Sequence, residues 1–375
     1  RVMDLTTRKE RDLTKDLDLS VESFAWHPSK DFIYFTATIN ATSQLFSIDL
    51  ANSKITQLTN QRCDYNHFVV SEKNVYVERQ DMIHPTDIYV YSLKNGSIKQ
   101  LTTVNKELLK NCPEPTVIEK WITTTDGKKM LTWVIYPPNF DATKKYPALL
   151  YCQGGPQSPV SQFFSYRWNF RLMASHGYIV VAPNRRGLPG FGQAWNDAIS
   201  KDWGGQPMRD YLTAIDSCVA QIPAIDSSKL GAVGASYGGY SVYYLAGIHE
   251  NRFKAFISHC GLFNLESWYG TTEELFFANW DIGGPYWNPE NKELYIKNSP
   301  HKLVDNWNTP MLVIQGGKDF RVPEAEGFQA FQALQLKNIP SKLLYFPDEG
   351  HWVTKPQNNI LWNREFFKWL DTYLK

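Results

Sequence analysis

Gly234-Ala235-Ser236-Tyr237-Gly238-Gly239-Tyr240 is a G-x-S-x-G element. The residues before it, Lys229-Leu230-Gly231-Ala232-Val233, read as a short buried strand, and Tyr240 to His249 read as the first turns of a helix. A serine on a tight strand-to-helix turn has its hydroxyl thrust out at the carboxyl edge of a sheet, where flanking glycines let backbone and helix crowd it. The next amide, that of Tyr237, points toward the oxygen that becomes negative when a carbonyl is attacked.

Working outward, an acid and a histidine follow in the chain order Ser, Asp, His of an α/β hydrolase. Pro310-Met311-Leu312-Val313-Ile314-Gln315-Gly316-Gly317 is a continuous apolar strand ending in two glycines, with Lys318-Asp319 just beyond. Ser341 to Phe346 forms another strand, followed by Pro347-Asp348-Glu349-Gly350-His351-Trp352, with Gly350 giving His351 a tight approach. Ser236 is too weak an acid to attack a carbonyl unaided, so His351 must take its proton and later return it to the leaving group. Asp319 would hold the imidazole in one tautomer. Asp348 competes for that role, but its loop directly carries His351 and leaves less room for a side-on approach. Activity is expected to fall as His351 is protonated, ordinarily near ~6.5.

A second oxyanion donor belongs on the loop after an earlier strand. Tyr146 to Cys152 is such a strand, and Gln153-Gly154-Gly155-Pro156-Gln157 follows it. Pro156 has no amide hydrogen, so the donor is read as Gly155, with Gly154 second.

Six segments together resemble the prolyl oligopeptidase family of serine peptidases. They are Gln153-Gly154-Gly155-Pro156, Asn184-Arg185-Arg186-Gly187, Trp203-Gly204-Gly205, Gly234 to Tyr240, Gly317-Lys318-Asp319-Phe320-Arg321-Val322-Pro323 and Glu349-Gly350-His351. The similarity runs from about Trp121 to the C-terminus. It is strongest to the acylaminoacyl-peptidase and dipeptidyl peptidase V branch, through Tyr151 to Ser158 and His351-Trp352-Val353. One departure is Gln153, where that branch often has histidine and other branches use a tyrosine hydroxyl as oxyanion donor; a backbone donor is therefore the assignment here.

The amino-terminal third repeats. Gln44 to Leu50 and Lys54 to Thr59 recur as Asp87 to Leu93 and Ser97 to Thr102, an offset within the range of four-stranded propeller blades, about 40–45 residues. Val2 to Leu5 and Arg11 to Thr14 match only the tail of the repeat. Two and a fraction blades cannot close a ring, so the repeat predicts a piece of a longer protein; a small β-sheet domain that echoes the repeat is the other reading.

The expected architecture is therefore partial β-propeller blades over 1–112 and an α/β-hydrolase catalytic domain over 113–375, joined by a linker from Asn111 to Glu119. Strands are expected at Met130–Tyr136, Ala148–Cys152, Tyr178–Ala182, Leu230–Gly234, Ala255–His259, Met311–Gln315 and Lys342–Phe346, with helices at Pro207–Gln221, Glu324–Lys337 and Asn359–Leu374. Buried apolar strands alternating with amphipathic helices give a mostly parallel sheet flanked by helices.

Composition narrows the function. Lys+Arg 39 against Asp+Glu 38, with a net charge of +1 and no basic block, argues against nucleic acid. No apolar stretch is long enough to cross a bilayer. Without CxxC, HExxH or a close His/Cys cluster, neither a metal nor another cofactor is expected. Five cysteines are too few for a disulfide framework; Cys63 and Cys112 could pair, or all could be isolated thiols. No signal peptide is read at the start, and with the natural amino terminus expected upstream this says nothing of the compartment. The resemblance favours a periplasmic or secreted location and leaves a cytoplasmic one open.

Substrate choice must come from loops around Ser236. The resemblance makes Phe263, Trp268 and Val322 the pocket for the residue before the cut, implying an apolar preference, against ordinary core and lid packing for each aromatic. It gives Arg321 the carbonyl of the next residue out and leaves Asn184-Arg185-Arg186 a structural role. It also implies a propeller that excludes folded proteins and supplies the groups binding the substrate's amino terminus. The expected function is a serine exopeptidase that removes dipeptides from oligopeptides, with an apolar or small residue before the cut, through an acyl-enzyme. Acylaminoacyl peptidase and oligopeptidase activities are the near alternatives. An esterase, or a binding protein on an inert hydrolase fold, is more remote. A homodimer through the hydrolase domain is the assembly the reading allows.

Overall fold

The computed structural model describes residues 1–375 and divides into two compact units. One comprises Glu114–Ser158, Phe170–Leu188 and Asp197–Lys375. Its centre is an eight-stranded sheet of β1 (Thr116–Thr123), β2 (Lys129–Tyr136), β3 (Tyr146–Cys152), β4 (Ile179–Pro183), β5 (Ile225–Ala235), β6 (Ala255–His259), β7 (Met311–Gly316) and β8 (Ser341–Phe346). The spatial order is β1-β2-β4-β3-β5-β6-β7-β8. β2 pairs antiparallel with β1 and β4, and every pairing from β4 through β8 is parallel. Every residue of β4, β6 and β7 is buried, as expected of strands covered on both faces.

Helices Gln206–Gln221, Tyr237–Ala246, Glu324–Leu336 and Pro356–Leu374 supply the larger covers. The last opens with Pro356 in its first turn, where a missing N–H is tolerated, and buries Trp362, Phe366, Phe367, Leu370 and Leu374, a 3.6-residue periodicity.

One expectation fails here. The segment read as linker up to Glu119 contains the start of β1, which pairs with β2 from Thr116↔Tyr136 to Thr123↔Lys129. Thr116-Val117-Ile118-Glu119-Lys120-Trp121-Ile122-Thr123 mixes charge with apolar side chains and is half-exposed. An edge strand of this kind carries too few apolar residues to stand out from a linker.

The other unit comprises Arg1–Pro113, Pro159–Asn169 and Pro189–Asn196. It holds a short hairpin, Val2–Met3 with Glu10–Arg11, and two four-stranded antiparallel sheets. In the first sheet Val21–Trp26, Phe32–Ile39, Thr42–Asp49 and Ile55–Gln57 lie in chain order. Asp64–Val70, Asn74–Gln80, Asp87–Ser92 and Ile98–Gln100 make the second. The repeated sequence segments form the third and fourth strands of each sheet. Phe46 and Ile48 join a core with Leu13, Phe35 and Ala37, while Leu45 turns into a second core with Tyr34, Cys63, Tyr65, Val75, Val77 and Tyr91. Alternation along a single strand thus feeds two cores.

Two later segments belong to this unit. Ser161 Oγ donates to buried Asp64 at 2.6 Å, and Gly190 O accepts from Asn40 N at 3.0 Å. Burial raises the Asp64 carboxyl to about 6 against its hydrogen bonds from Ser161, Ser43 and Gln162. Cys63 is buried and Cys112 exposed, and no disulfide joins the two. No helix is long and apolar enough to cross a membrane.

Candidate active site

Ser236 joins β5 to helix Tyr237–Ala246 with φ 60° and ψ −125°, a conformation rarely adopted by residues other than glycine. Its amide donates to His259 O of β6 at 2.9 Å, and its carbonyl accepts from Tyr240 N at 2.8 Å. The strained turn is therefore held from both sides. A Cβ at Gly238 would lie 2.0 Å from Cys152 O, so only glycine lets the helix start this close to the end of β3. Tyr237 is the first helical residue, and its amide, like others of a helix's first turn, has no acceptor within the helix.

The acid and the histidine meet. His351 Nδ1 lies 2.8 Å from Asp319 Oδ2, with both side chains buried. The other oxygen, Oδ1, accepts from Arg321 N at 3.0 Å and Val322 N at 2.9 Å, which fixes the carboxylate. Asp348 is instead exposed, paired to Lys355 and hydrogen-bonded by Asn358 Nδ2 at 3.2 Å. Glu349 shapes the histidine loop by accepting from Thr354 N, Lys355 N and Asn358 Nδ2 at 3.0, 2.9 and 2.8 Å. The tight approach expected of Gly350 is made by Gly316: a Cβ there would sit 2.2 Å from Gly350 O, whereas one at Gly350 meets only Lys318 O at 3.4 Å.

Cys260 is an addition that the sequence reading did not contain. Its thiol donates to His351 O at 3.7 Å. A ligand atom each from Cys260, Asp319 and His351 lies within 4.8 Å of the others, and all three residues are buried. Burial alone would lower the imidazole pKa; Cys260 and the Asp319 carboxylate outweigh it, so the pKa of His351 is raised above its ordinary value.

Arg185, read as structural, is buried and braces the loop after β3. It donates to Gln153 O at 3.2 Å and Tyr211 Oη at 3.1 Å, and its guanidinium lies 4.5 Å from the Tyr237 ring centroid. Gln153 itself is tied by its side chain to Tyr151 and Ser158 at 2.7 and 3.2 Å. Arg186 is engaged elsewhere, in a two-pronged contact to Asp126 at 2.9 and 2.8 Å.

The pocket residues divide. Trp268 is buried, donates from Nε1 to Arg321 O at 2.9 Å, and packs 5.9 Å from Trp203, which lies edge-on to Tyr237 at 5.0 Å. Val322, next to Arg321 in sequence, is buried. Trp203, anchored by Nε1 to Asp281 at 2.8 Å, joins this group although only its motif was noticed in the sequence. The ring of Phe263 packs with Tyr243, His301 and Trp307. Its amide and that of Asn264 donate to Glu326 Oε2 at 2.8 and 2.7 Å. Glu326 is fully buried, and burial raises its carboxyl to about 7. Glu326→Ala leaves the buried Phe263 amide and the part-buried Asn264 amide without this acceptor, so a loss of about 3 kcal/mol in unfolding free energy is expected by denaturant titration; an unchanged midpoint would remove Glu326 from this role.

The family model of the prolyl oligopeptidase family matches residues 164–375, more than half of the chain. The chain belongs to the prolyl oligopeptidase family. Among its relatives, a dipeptidyl-peptidase 5 of Porphyromonas gingivalis is 51% identical over 376 residues, covering 100% of this chain and 55% of that protein. A dipeptidyl-peptidase 5 of Schizosaccharomyces pombe is 36% identical over 333 residues, covering 88% and 48%. The chain spans about half the length of these relatives. The uncomplexed acylaminoacyl peptidase of Pyrococcus horikoshii has the same fold, with TM-score 0.88 at 23% identity over 97% of this chain and 57% of that one. The sheet that carries Ser236, Asp319 and His351 is thus an α/β-hydrolase sheet of this family.

Proposed function

We propose that the protein is a serine exopeptidase that releases dipeptides from the amino terminus of oligopeptides through an acyl-enzyme. The observation that carries the chemistry is the buried 2.8 Å contact of His351 with Asp319, in a family whose nucleophile motif is here Ser236 in a strained turn. The dipeptide specificity draws on the relatives named dipeptidyl-peptidase 5.

In this reading His351 Nε2 takes the Ser236 proton as Oγ attacks the scissile carbonyl. The amides of Tyr237 and Gly155 receive the oxyanion. Asp319, fixed by two backbone amides, keeps Nδ1 protonated and stabilises the imidazolium. The imidazolium then gives its proton to the leaving amine. Water, deprotonated by the same imidazole, attacks the dipeptidyl ester and frees Ser236. Trp268 and Val322 form the pocket for the residue before the cut. Arg321 anchors the carbonyl of the residue beyond it, since a guanidinium presents several donors in a fixed fork.

The two four-stranded sheets are read as successive blades of a propeller, supported by their recurring sequence and by the core that joins Tyr34 and Leu45 of the first to Tyr65, Val75, Val77 and Tyr91 of the second. Mass spectrometry of products tests the specificity. The full-length protein is expected to release a dipeptide from an apolar-rich peptide with a free amino terminus and nothing from its acetylated twin. Release of a single acetylated residue would replace the proposal with an acylaminoacyl peptidase.

A further inference from the structure

Beside the catalytic pair lies a charge group that the chemistry above uses only in part. The Arg321 guanidinium sits 5.1 Å from the Trp352 ring centroid, and Trp352 meets the His351 ring edge-on at 5.1 Å. Two carboxylates share this guanidinium: Glu274 Oε1 is 2.9 Å and Glu273 Oε1 3.9 Å from Nε. Arg321 Nε makes no hydrogen bond, so the Glu274 contact is an ion pair whose N–H points elsewhere.

The segment carrying both acids is stitched to the loop of Asp319. Glu273 N donates to Phe320 O at 2.9 Å, Thr272 Oγ1 to Arg321 O at 2.8 Å and Trp268 Nε1 to the same oxygen at 2.9 Å. Two carboxylates against one guanidinium leave one negative charge in excess. The Glu274 and Arg321 side chains are 24% and 32% exposed and that of Glu273 54%, so the Glu274–Arg321 pair is partly shielded while Glu273 stays open to solvent.

We propose that Glu274, backed by Glu273, binds the free α-ammonium of the substrate while Arg321 holds the carbonyl of the same residue. The inference rests on the dipeptidyl reading above. In a dipeptidyl substrate the α-ammonium and the first carbonyl are separated by one carbon. Any carboxylate for the former must therefore adjoin the anchor for the latter, as Glu274 adjoins Arg321. A guanidinium has five N–H donors, so an ion pair on one side leaves others for a carbonyl. An acylated amine brings no charge, and a longer chain places its ammonium elsewhere; both leave the excess carboxylate uncompensated. The hydrolase unit itself then counts two residues from the amino terminus, a task the family resemblance assigns to the propeller.

The test uses the full-length protein with a dipeptidyl coumarin amide bearing a free amine and its N-acetylated twin, taking the ratio of their kcat/KM values within each preparation. Glu274→Gln is expected to lower this ratio about 10- to 150-fold, the range for a lost hydrogen bond to a charged group. Glu274→Asp, which keeps the charge, retains more of it. In the wild type, kcat/KM for the free-amine substrate alone falls above about pH 8 as the ammonium deprotonates, and Glu274→Gln abolishes that limb. A free dipeptide also inhibits the wild type more tightly than its acetylated twin, a comparison that needs no variant. A wild type that releases dipeptides with ratio and alkaline limb unchanged in Glu274→Gln would overturn the ammonium site and leave the dipeptidyl reading standing. A wild type that releases no dipeptide fails the dipeptidyl reading itself.

Discussion

Ser236→Ala abolishes labelling by a fluorophosphonate probe and lowers kcat by about 10^6-fold, the loss expected when the nucleophile of a Ser-His-Asp unit is removed. The effect is large because Ser236 has no substitute in the same position. Its φ of 60° is imposed by β5, the following helix and the hydrogen bond to His259 O, so a neighbouring hydroxyl cannot swing into its place. The substitution leaves backbone and packing intact, and circular dichroism is expected to be unchanged. Labelling that persists in the variant would reassign the nucleophile.

Asp319→Asn is the second large effect, about 10^4-fold in kcat. Asparagine can still accept from Arg321 N and Val322 N, so the loop survives, but its amide group presents a donor toward His351 and favours the wrong tautomer. The same substitution moves the pH profile in a defined direction. The wild-type rate rises with pH as the imidazolium loses its proton, and because Asp319 and Cys260 outweigh burial, the midpoint lies above the ordinary ~6.5. Removing the carboxylate removes one of the groups that favour the imidazolium, so the midpoint of the residual activity shifts to lower pH. A profile unmoved by Asp319→Asn would separate Asp319 from His351.

The proposed triad was legible in sequence because each member lies just past an apolar run that reads as a buried strand. Ser236 follows β5, Asp319 follows β7 and His351 follows β8, so strand register places all three on one edge. Residues that act through distant partners gave no such signal. Cys260 lies 91 residues from the His351 carbonyl it touches, and Phe263 lies 63 from Glu326. Glu273 and Glu274 carried no signal in sequence; only the fold brings them to Arg321. Phe263 shows the opposite limit. Its place in an aromatic-rich loop suggested a pocket wall, but its ring packs with Tyr243, His301 and Trp307, and composition cannot tell a ring facing a cavity from one facing a core. The strand Thr116–Thr123 was hidden for a related reason, since prolines at 113 and 115 and the charged Glu119-Lys120 mask an edge strand.

The most direct test of the account is peptide mapping by mass spectrometry after acid quench of the full-length protein turning over a free-amine peptide ester. The account predicts a mass increase of one dipeptidyl group on the peptide containing Ser236, absent from Ser236→Ala. An acyl group on any other residue, or one of a length other than two residues on Ser236, would contradict it.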